Sequence, residues 1–257
     1  MRVALPQTLV TTPIAHRGYH DKAAGRIENS PAAARAAIAA GYGIEMDLQL
    51  SADGVAMVFH DEDMTRLTGK PGLLSTYTTA ELGRIRLQGG PDGIPRFAEI
   101  LALVAGRVPL LVELKDQTLT MSDTDGRLEA ATAAALAGYT GDVALMSFNP
   151  HCIAHLARLV PQVPRGLTTS AFTVEDWAPL AAATCDRLRG IPDYDRTLAS
   201  FISHEAADLG RPRVAALRAG GAAILCWTIR SPDQETAARS IADNITFEHY
   251  APALTSG

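Results

Sequence analysis

Four short stretches of the chain collect residue types that act on phosphate: Ala15-His16-Arg17-Gly18, Ile44-Glu45-Met46-Asp47, Phe59-His60-Asp61 and Val112-Glu113-Leu114-Lys115. Glu45, Asp47 and Glu113 offer only oxygen, so as a set they suit a hard divalent cation, Mg2+ or Ca2+, better than zinc. Such an ion polarises a phosphoryl oxygen and orients the group that carries it. Arg17 presents a planar fork and Lys115 a point charge, and both suit the remaining phosphate oxygens. Histidine titrates near neutrality, so His16 and His60 suit general acid and base roles on opposite sides of a phosphorus atom.

These side chains can act together only if something brings them to one place, and the pattern of the chain supplies it. Short β-like runs over 9–15, 43–48, 109–114, 143–147, 163–167, 199–203, 222–228 and 244–247 alternate with helical stretches over 31–40, 127–137, 150–159, 174–188, 212–219 and 232–242. Such alternation argues for parallel βαβ units. Eight strands in one chain of 257 residues fit the α/β class as a single (β/α)₈ barrel, which runs to about 250 residues. Ser30, Pro31 and Gly41 bracket one helix as N-cap, first position and stop. One segment breaks the alternation. Asp53-Gly54 between two apolar runs signals a β-hairpin after the second strand, with a type I′ turn that returns His60 to the end carrying Glu45 and Asp47. Side chains alternate faces along a strand, so Glu45 and Asp47 point one way, as do Glu113 and Lys115. In such barrels the active site sits at the C-terminal ends of the strands, where all four stretches fall.

Composition bounds the partners. Hydrophobic residues make up 47% and charged residues 20%, values of a globular chain, and residues 1–257 read as one domain without a linker. The net charge of −5 and the lack of a Lys/Arg run argue against nucleic acid. Cys152, Cys185 and Cys226 form neither a CxxC pair nor a zinc spacing and suit a reducing compartment. No signal peptide is evident and no apolar run approaches the ~20 residues of a membrane span, so the expected location is the cytoplasm.

The ordered run His16-Arg17-Gly18, Glu28-Asn29-Ser30, Gly43-Ile44-Glu45-Met46-Asp47, Asp53-Gly54, His60-Asp61 and Arg66-Leu67-Thr68-Gly69 resembles the N-terminal signature of glycerophosphodiester phosphodiesterases. Val112-Glu113-Leu114-Lys115 resembles the family's third-strand motif, and Ser147-Phe148 and Cys226-Trp227-Thr228 its later landmarks. The resemblance implies a (β/α)₈ fold and metal-dependent hydrolysis of a glycerophosphodiester to sn-glycerol 3-phosphate and an alcohol. It implies Glu45, Asp47 and Glu113 as ligands of one divalent cation, His16 and His60 as the acid–base pair, Arg17 and Lys115 on the phosphate, and Trp227 on the glycerol side. Alternatives are a lysophospholipase D-type or cyclic-phosphate-forming phosphodiesterase, which the Gly- and Pro-rich loop 68–94 does not decide, and a binding barrel that has lost catalysis. Against the last stands the presence of both histidines and all three carboxylates.

The chain departs from the family pattern at its end, where Phe247-Glu248-His249-Tyr250 places Glu248 at a position usually Thr or Asp. Glu248 and His204 read as structural residues, and His20 and His249 as loop or surface. His151 and His155 stand at i, i+4, the spacing of a metal pair, but the sequence offers no third ligand and the pair reads as a solvated helix start.

Overall fold

The computed structural model describes residues 1–254; residues 255–257 of the expected domain lie outside them. The strands are β1 (Ile14–Ala15), β2 (Gly43–Leu50), β3 (Ala56–Val58), β4 (Leu110–Leu114), β5 (Val143–Ser147), β6 (Arg165–Thr169), β7 (Phe201–Glu205), β8 (Ala223–Ile229) and β9 (Asn244–Phe247). All but β3 form a closed parallel ring, because β1 pairs with both β2 and β9. β3 lies outside the ring, antiparallel to β2, with Leu50 opposite Ala56. The helices are α1 (Gln7–Thr11), α2 (Pro31–Ala40), α3 (Thr65–Thr68), α4 (Thr79–Leu82), α5 (Phe97–Val104), α6 (Arg127–Ala135), α7 (Pro150–Leu159), α8 (Ala182–Arg189), α9 (Pro212–Ala219) and α10 (Pro232–Ala238). None is long and apolar enough to cross a membrane.

The expected barrel and hairpin are present, and the differences have local causes. The run 9–15 is not one strand. Pro6 opens α1, which the chain leaves before Pro13, and only Ile14–Ala15 joins the sheet. α1 closes the bottom of the barrel: Leu9 is fully buried against Ile14, Leu111 and Phe201, and Asn244 donates to the carbonyls of Leu9 and Thr12 at 2.9 and 2.6 Å. The strand expected at 163–167 begins two residues later, past Pro164, which lacks an N–H for the ladder. The helix expected over 174–188 is confined to Ala182–Arg189, since Pro179 cannot lie inside a helix. At the hairpin, Gly54 N–H donates to the Ser51 carbonyl at 3.0 Å, and Gly54 has φ 82° while Asp53 keeps a negative φ. The turn is therefore an ordinary one followed by a left-handed glycine rather than type I′. α2 is capped as expected: the Ser30 hydroxyl accepts from Ala33 N–H at 3.1 Å, and Gly41 ends it with φ 77°.

The segment after β3 is more than a loop. Residues 60–96 fold over the hairpin with their own apolar cluster, in which Met64, Leu74 and Leu82 pack with Ile27, Met57 and Phe59. An ion-pair chain fastens this insert to the barrel. Arg66 donates to both oxygens of Glu28 at 2.8 Å, and Arg17 donates to Glu28 Oε1 at 2.7 Å. Burial pushes the Glu28 carboxyl up, but the Arg66 hydrogen bonds and the Arg17 charge outweigh it and hold the group at about 2.

Two outcomes follow. Leu82→Ala removes a fully buried side chain from the insert cluster at a cost of about 3 kcal/mol, and should speed amide exchange across residues 60–94 before that of the barrel strands; uniform acceleration would show that the insert is not a separate cooperative unit. Glu28 has a folded pKa of about 2 against an ordinary 4.5, so its contribution is complete above pH 4.5 and fades as the pH falls toward 2. Glu28→Gln should therefore cost on the order of 2 kcal/mol in denaturant melts at pH 7, with half-exposed Arg66 screening part of the effect, and the deficit should shrink in acid.

Candidate active site

The three carboxylates meet because two neighbouring strands are in register. Asp47 on β2 lies opposite Glu113 on β4, and Glu45 follows the same face two residues earlier. All three side chains are buried, and one oxygen from each lies within 4.8 Å of the others. Lys115 Nζ donates to Asp47 Oδ1 at 2.8 Å and to Glu113 Oε1 at 2.5 Å. Asn29 Nδ2 donates to Asp47 Oδ2 at 2.8 Å, and the Arg17 backbone N–H donates to Glu45 Oε2 at 2.8 Å. That last contact depends on the chain reversing at Arg17 and Gly18, with φ 55° and 78°. Gly18 also packs on α2, where a Cβ would come within 2.9 Å of Ala33.

The charge at this point does not balance. Burial raises the Asp47 carboxyl, but Lys115, His60 and Arg17 outweigh it and hold the group ionised, far below the carboxylate range. At Glu45 the Arg17 backbone N–H and the Lys115 charge act in the same direction but do not win. Burial first, and then the charges of Asp47 and Glu113, push it well above its ordinary value. Three buried carboxylates face one lysine and an arginine already paired with Glu28, so the donor set fits a divalent cation by its oxygen chemistry and by its excess charge.

The two histidines are held in the same way, each by a carboxylate. His16 Nδ1 lies 2.9 Å from Glu248 Oε2, whose other oxygen accepts from Arg230 Nε at 2.6 Å. His60 Nδ1 lies 2.7 Å from Asp61 Oδ1, and Arg66 grips both Asp61 oxygens at 2.6 and 2.9 Å. Burial raises both carboxyls, but hydrogen bonds from His16 to Glu248 and from His60 and Arg66 to Asp61 carry them far below their ordinary range. As ionised acceptors they fix the proton on each Nδ1 and leave Nε2 as the other ring nitrogen. The Nε2 of His16 is 3.9 Å from Glu45 Oε2. Burial above all lowers the His16 pKa.

His16, Arg17, Glu45, Asp47, His60, Glu113, Lys115 and Trp227 line one cavity of about 1040 Å³ at the C-terminal ends of the strands. Its opposite wall is apolar. Trp227 donates from Nε1 to the Ser203 carbonyl at 3.0 Å and meets Phe148 edge-on at 5.6 Å; Trp177 meets Phe148 at 4.8 Å. A register shift between Cys226 and Ile229 interrupts the β8–β9 ladder just where Trp227 stands.

Several residues outside the expected set belong to this site. Glu248, read as structural, sits on His16. His20, read as loop or surface, brings Nε2 to 3.6 Å from Glu248 Oε2 with only 16% of its side chain exposed. His204 is fully buried in the barrel wall, with Nδ1 2.7 Å from Thr169 Oγ1 and Nε2 3.2 Å from Asp208, and does not line the cavity. Asp61, Glu28, Asn29 and Arg66 all lie within the quoted N-terminal motifs, so their types were visible but their contacts were not. Trp177 carried no signal, because its segment reads as helix.

The model of the Glycerophosphoryl diester phosphodiesterase family matches residues 16–247. A protein named glycerophosphodiester phosphodiesterase from Caldanaerobacter subterraneus subsp. tengcongensis is 27% identical over 175 residues, 65% of this chain and 70% of its own. Among solved structures, a phosphodiesterase of Oleispira antarctica in complex with the product sn-glycerol-3-phosphate superposes with a TM-score of 0.73 over 91% of each chain, at 22% identity, a likeness of fold. A glycerophosphodiester phosphodiesterase from Agrobacterium tumefaciens superposes with a TM-score of 0.65 at 27% identity, over 92% of this chain and 96% of its own. With the match running from His16 to the end of the last barrel strand, the chain belongs to the glycerophosphoryl diester phosphodiesterase family and is a phosphoric diester hydrolase.

Proposed function

We propose that this chain hydrolyses small glycerophosphodiesters to sn-glycerol 3-phosphate and an alcohol, with Glu45, Asp47 and Glu113 holding one divalent cation, Mg2+ or Ca2+. One observation carries the reading: two imidazoles, each anchored through Nδ1 by an ionised carboxylate, flank a buried three-carboxylate cluster that lacks one cation's worth of charge. When bound, the ion supplies charge neutralisation at a phosphoryl oxygen. Arg17, which lines the cavity beside Asp47, adds positive charge to the same phosphate. Lys115 adds a second positive charge.

The proton balance runs through the histidines. One Nε2 takes a proton from the attacking water as its oxygen forms the new bond to phosphorus. The other gives a proton to the alcohol oxygen as the old P–O bond breaks. Glu248 and Asp61 keep both rings in the tautomer this exchange needs, as positioning residues. Trp227 and Phe148 offer an apolar face to the glycerol carbons.

A second reading, cleavage of lysophospholipids, draws on the apolar wall continuing from Phe148 and Trp177 to Leu180, Met121 and the half-exposed Leu119, a surface fit for an acyl chain.

Purified protein should release sn-glycerol 3-phosphate from glycerophosphocholine and glycerophosphoethanolamine with Mg2+ or Ca2+ and lose that activity in EDTA. His16→Ala and His60→Ala should each lower kcat by about 10²- to 10⁴-fold. Release undiminished by EDTA would sink the metal assignment, and activity confined to lysophospholipids would favour the second reading. Glu248→Gln should lower kcat by about 10- to 100-fold with KM nearly unchanged, and Glu248→Asp should recover part of it. A change confined to KM would place Glu248 in substrate binding instead.

A further inference from the structure

Glu248 gathers more partners than the orientation of His16 alone explains. Besides His16 on Oε2 and Arg230 on Oε1, His20 brings Nε2 to 3.6 Å from Oε2 and His249 brings Nε2 to 3.4 Å from Oε1. The four differ in exposure. Arg230 and His249 leave 54% and 61% of their side chains in water, against 14% for His16 and 16% for His20. Solvent screens the exposed pair, so it supplies charge but little fixed geometry. The position of Oε2 is left to the two enclosed imidazoles.

His20 is held where it can do this. It follows the same chain reversal that carries His16. Its N–H donates to the Gly18 carbonyl at 2.8 Å, and the Tyr19 N–H donates to the Ala33 carbonyl on α2 at 3.1 Å. The Tyr19 ring packs edge-on against Tyr42 at 5.3 Å, and the His20 ring meets that of His249 edge-on at 5.6 Å. Glu248 is fixed from the other side. Its N–H donates to the Ile229 carbonyl at 3.0 Å, and the His16 N–H donates to the Phe247 carbonyl at 2.9 Å. Two firmly bonded backbones thus face each other across one carboxylate. Burial raises that carboxyl, but His16, then His20 and Arg230, outweigh it. His20 does not line the cavity, so what it contributes passes through Glu248.

We infer that His20 is a positioning residue for the hydrolysis: it holds Glu248 Oε2 on His16 Nδ1 and so keeps Nε2 of His16 as the nitrogen that exchanges a proton. The inference rests on the reading above, in which Glu248 orients His16. Without His20, Oε2 is free to swing toward Arg230 and water, and the released ring can take the other tautomer, in which Nε2 already carries a proton. At 3.6 Å the contact is electrostatic rather than a full hydrogen bond, so its loss should weaken the clamp without abolishing it.

The test uses the full chain with Mg2+ and follows release of sn-glycerol 3-phosphate. His20→Leu should lower kcat by about 3- to 10-fold and change KM by less than about twofold. His20→Gln, whose amide nitrogen reaches about as far as imidazole Nε2, should recover most of the rate. His20→Asn, equally polar but too short, should not, and this comparison stands even if the leucine variant misfolds. In a Glu248→Gln background, His20→Leu should lower kcat no further. The proton on His16 Nδ1, identified by its loss in His16→Ala, should give a downfield NMR signal in the substrate-free wild type that broadens in His20→Leu and returns in His20→Gln. Unchanged kcat and signal in His20→Leu, equal rates in the Gln and Asn variants, or an additive loss in the double variant would each overturn the proposal. Full activity in Glu248→Gln would remove the reading of Glu248 and this proposal with it. The NMR signal is read without substrate, so a wild type inactive on glycerophosphodiesters would sink the substrate assignment alone.

Discussion

Three carboxylates buried side by side repel one another and have lost most of their hydration, and the arrangement of the barrel mouth answers that problem. Lys115 lies across Asp47 and Glu113; Asn29 and a backbone N–H turned inward by the reversal at Arg17 take the remaining oxygens they can reach. These partners do not complete the balance at Glu45. A site left short of positive charge in this way is under electrostatic demand for a cation. The fold can sustain the demand because β2 and β4 are locked on both sides by the barrel ladder.

Around that centre the polar contacts run outward in two arms of the same design. On one side His16 is held by Glu248 and Glu248 by Arg230; on the other His60 is held by Asp61 and Asp61 by Arg66. Each imidazole thus has its tautomer fixed by a carboxylate whose own charge is fixed by an arginine. The second arm continues through Glu28 back to Arg17, beside the carboxylate centre. Arg66 is carried by an insert whose small apolar cluster is separate from the barrel core. Packing of Leu74 and Leu82 therefore bears on the orientation of His60 through the Arg66–Asp61 ion pair and the Asp61–His60 hydrogen bond rather than through the barrel wall.

The cavity is divided by chemistry. Charge lines the side formed by β1, β2 and β4, and aromatic rings line the side formed around β5, β6 and β8. A phosphodiester has the same division, with an anionic centre between carbon-bearing substituents. The irregularity of β8 at Trp227 belongs to this division, since a bulge re-aims a side chain that a regular strand would direct by simple alternation.

Much of this was legible in the residues themselves. The period-two placement of Glu45 with Asp47 and of Glu113 with Lys115, the strand–helix alternation and the Asp53-Gly54 turn are local patterns, and local patterns survive in a one-dimensional reading. The errors were local too. Apolar character could not separate the short α1 and its following strand from one continuous strand over 9–15, and Ala-rich composition hid the break at Pro179. What only the tertiary structure decided are pairings between residues distant in the chain: Glu248 with His16, Asp123 with His151 and His155, Arg66 with Glu28, and Trp177 with Phe148. Periodicity carries no information about such pairs. They are set by how the closed ring brings β1 beside β9, by how the insert folds back on the hairpin, and by which loops then share the mouth. The sequence by itself determined which chemical groups the mouth would hold; the closure of the barrel decided which of them would hold one another.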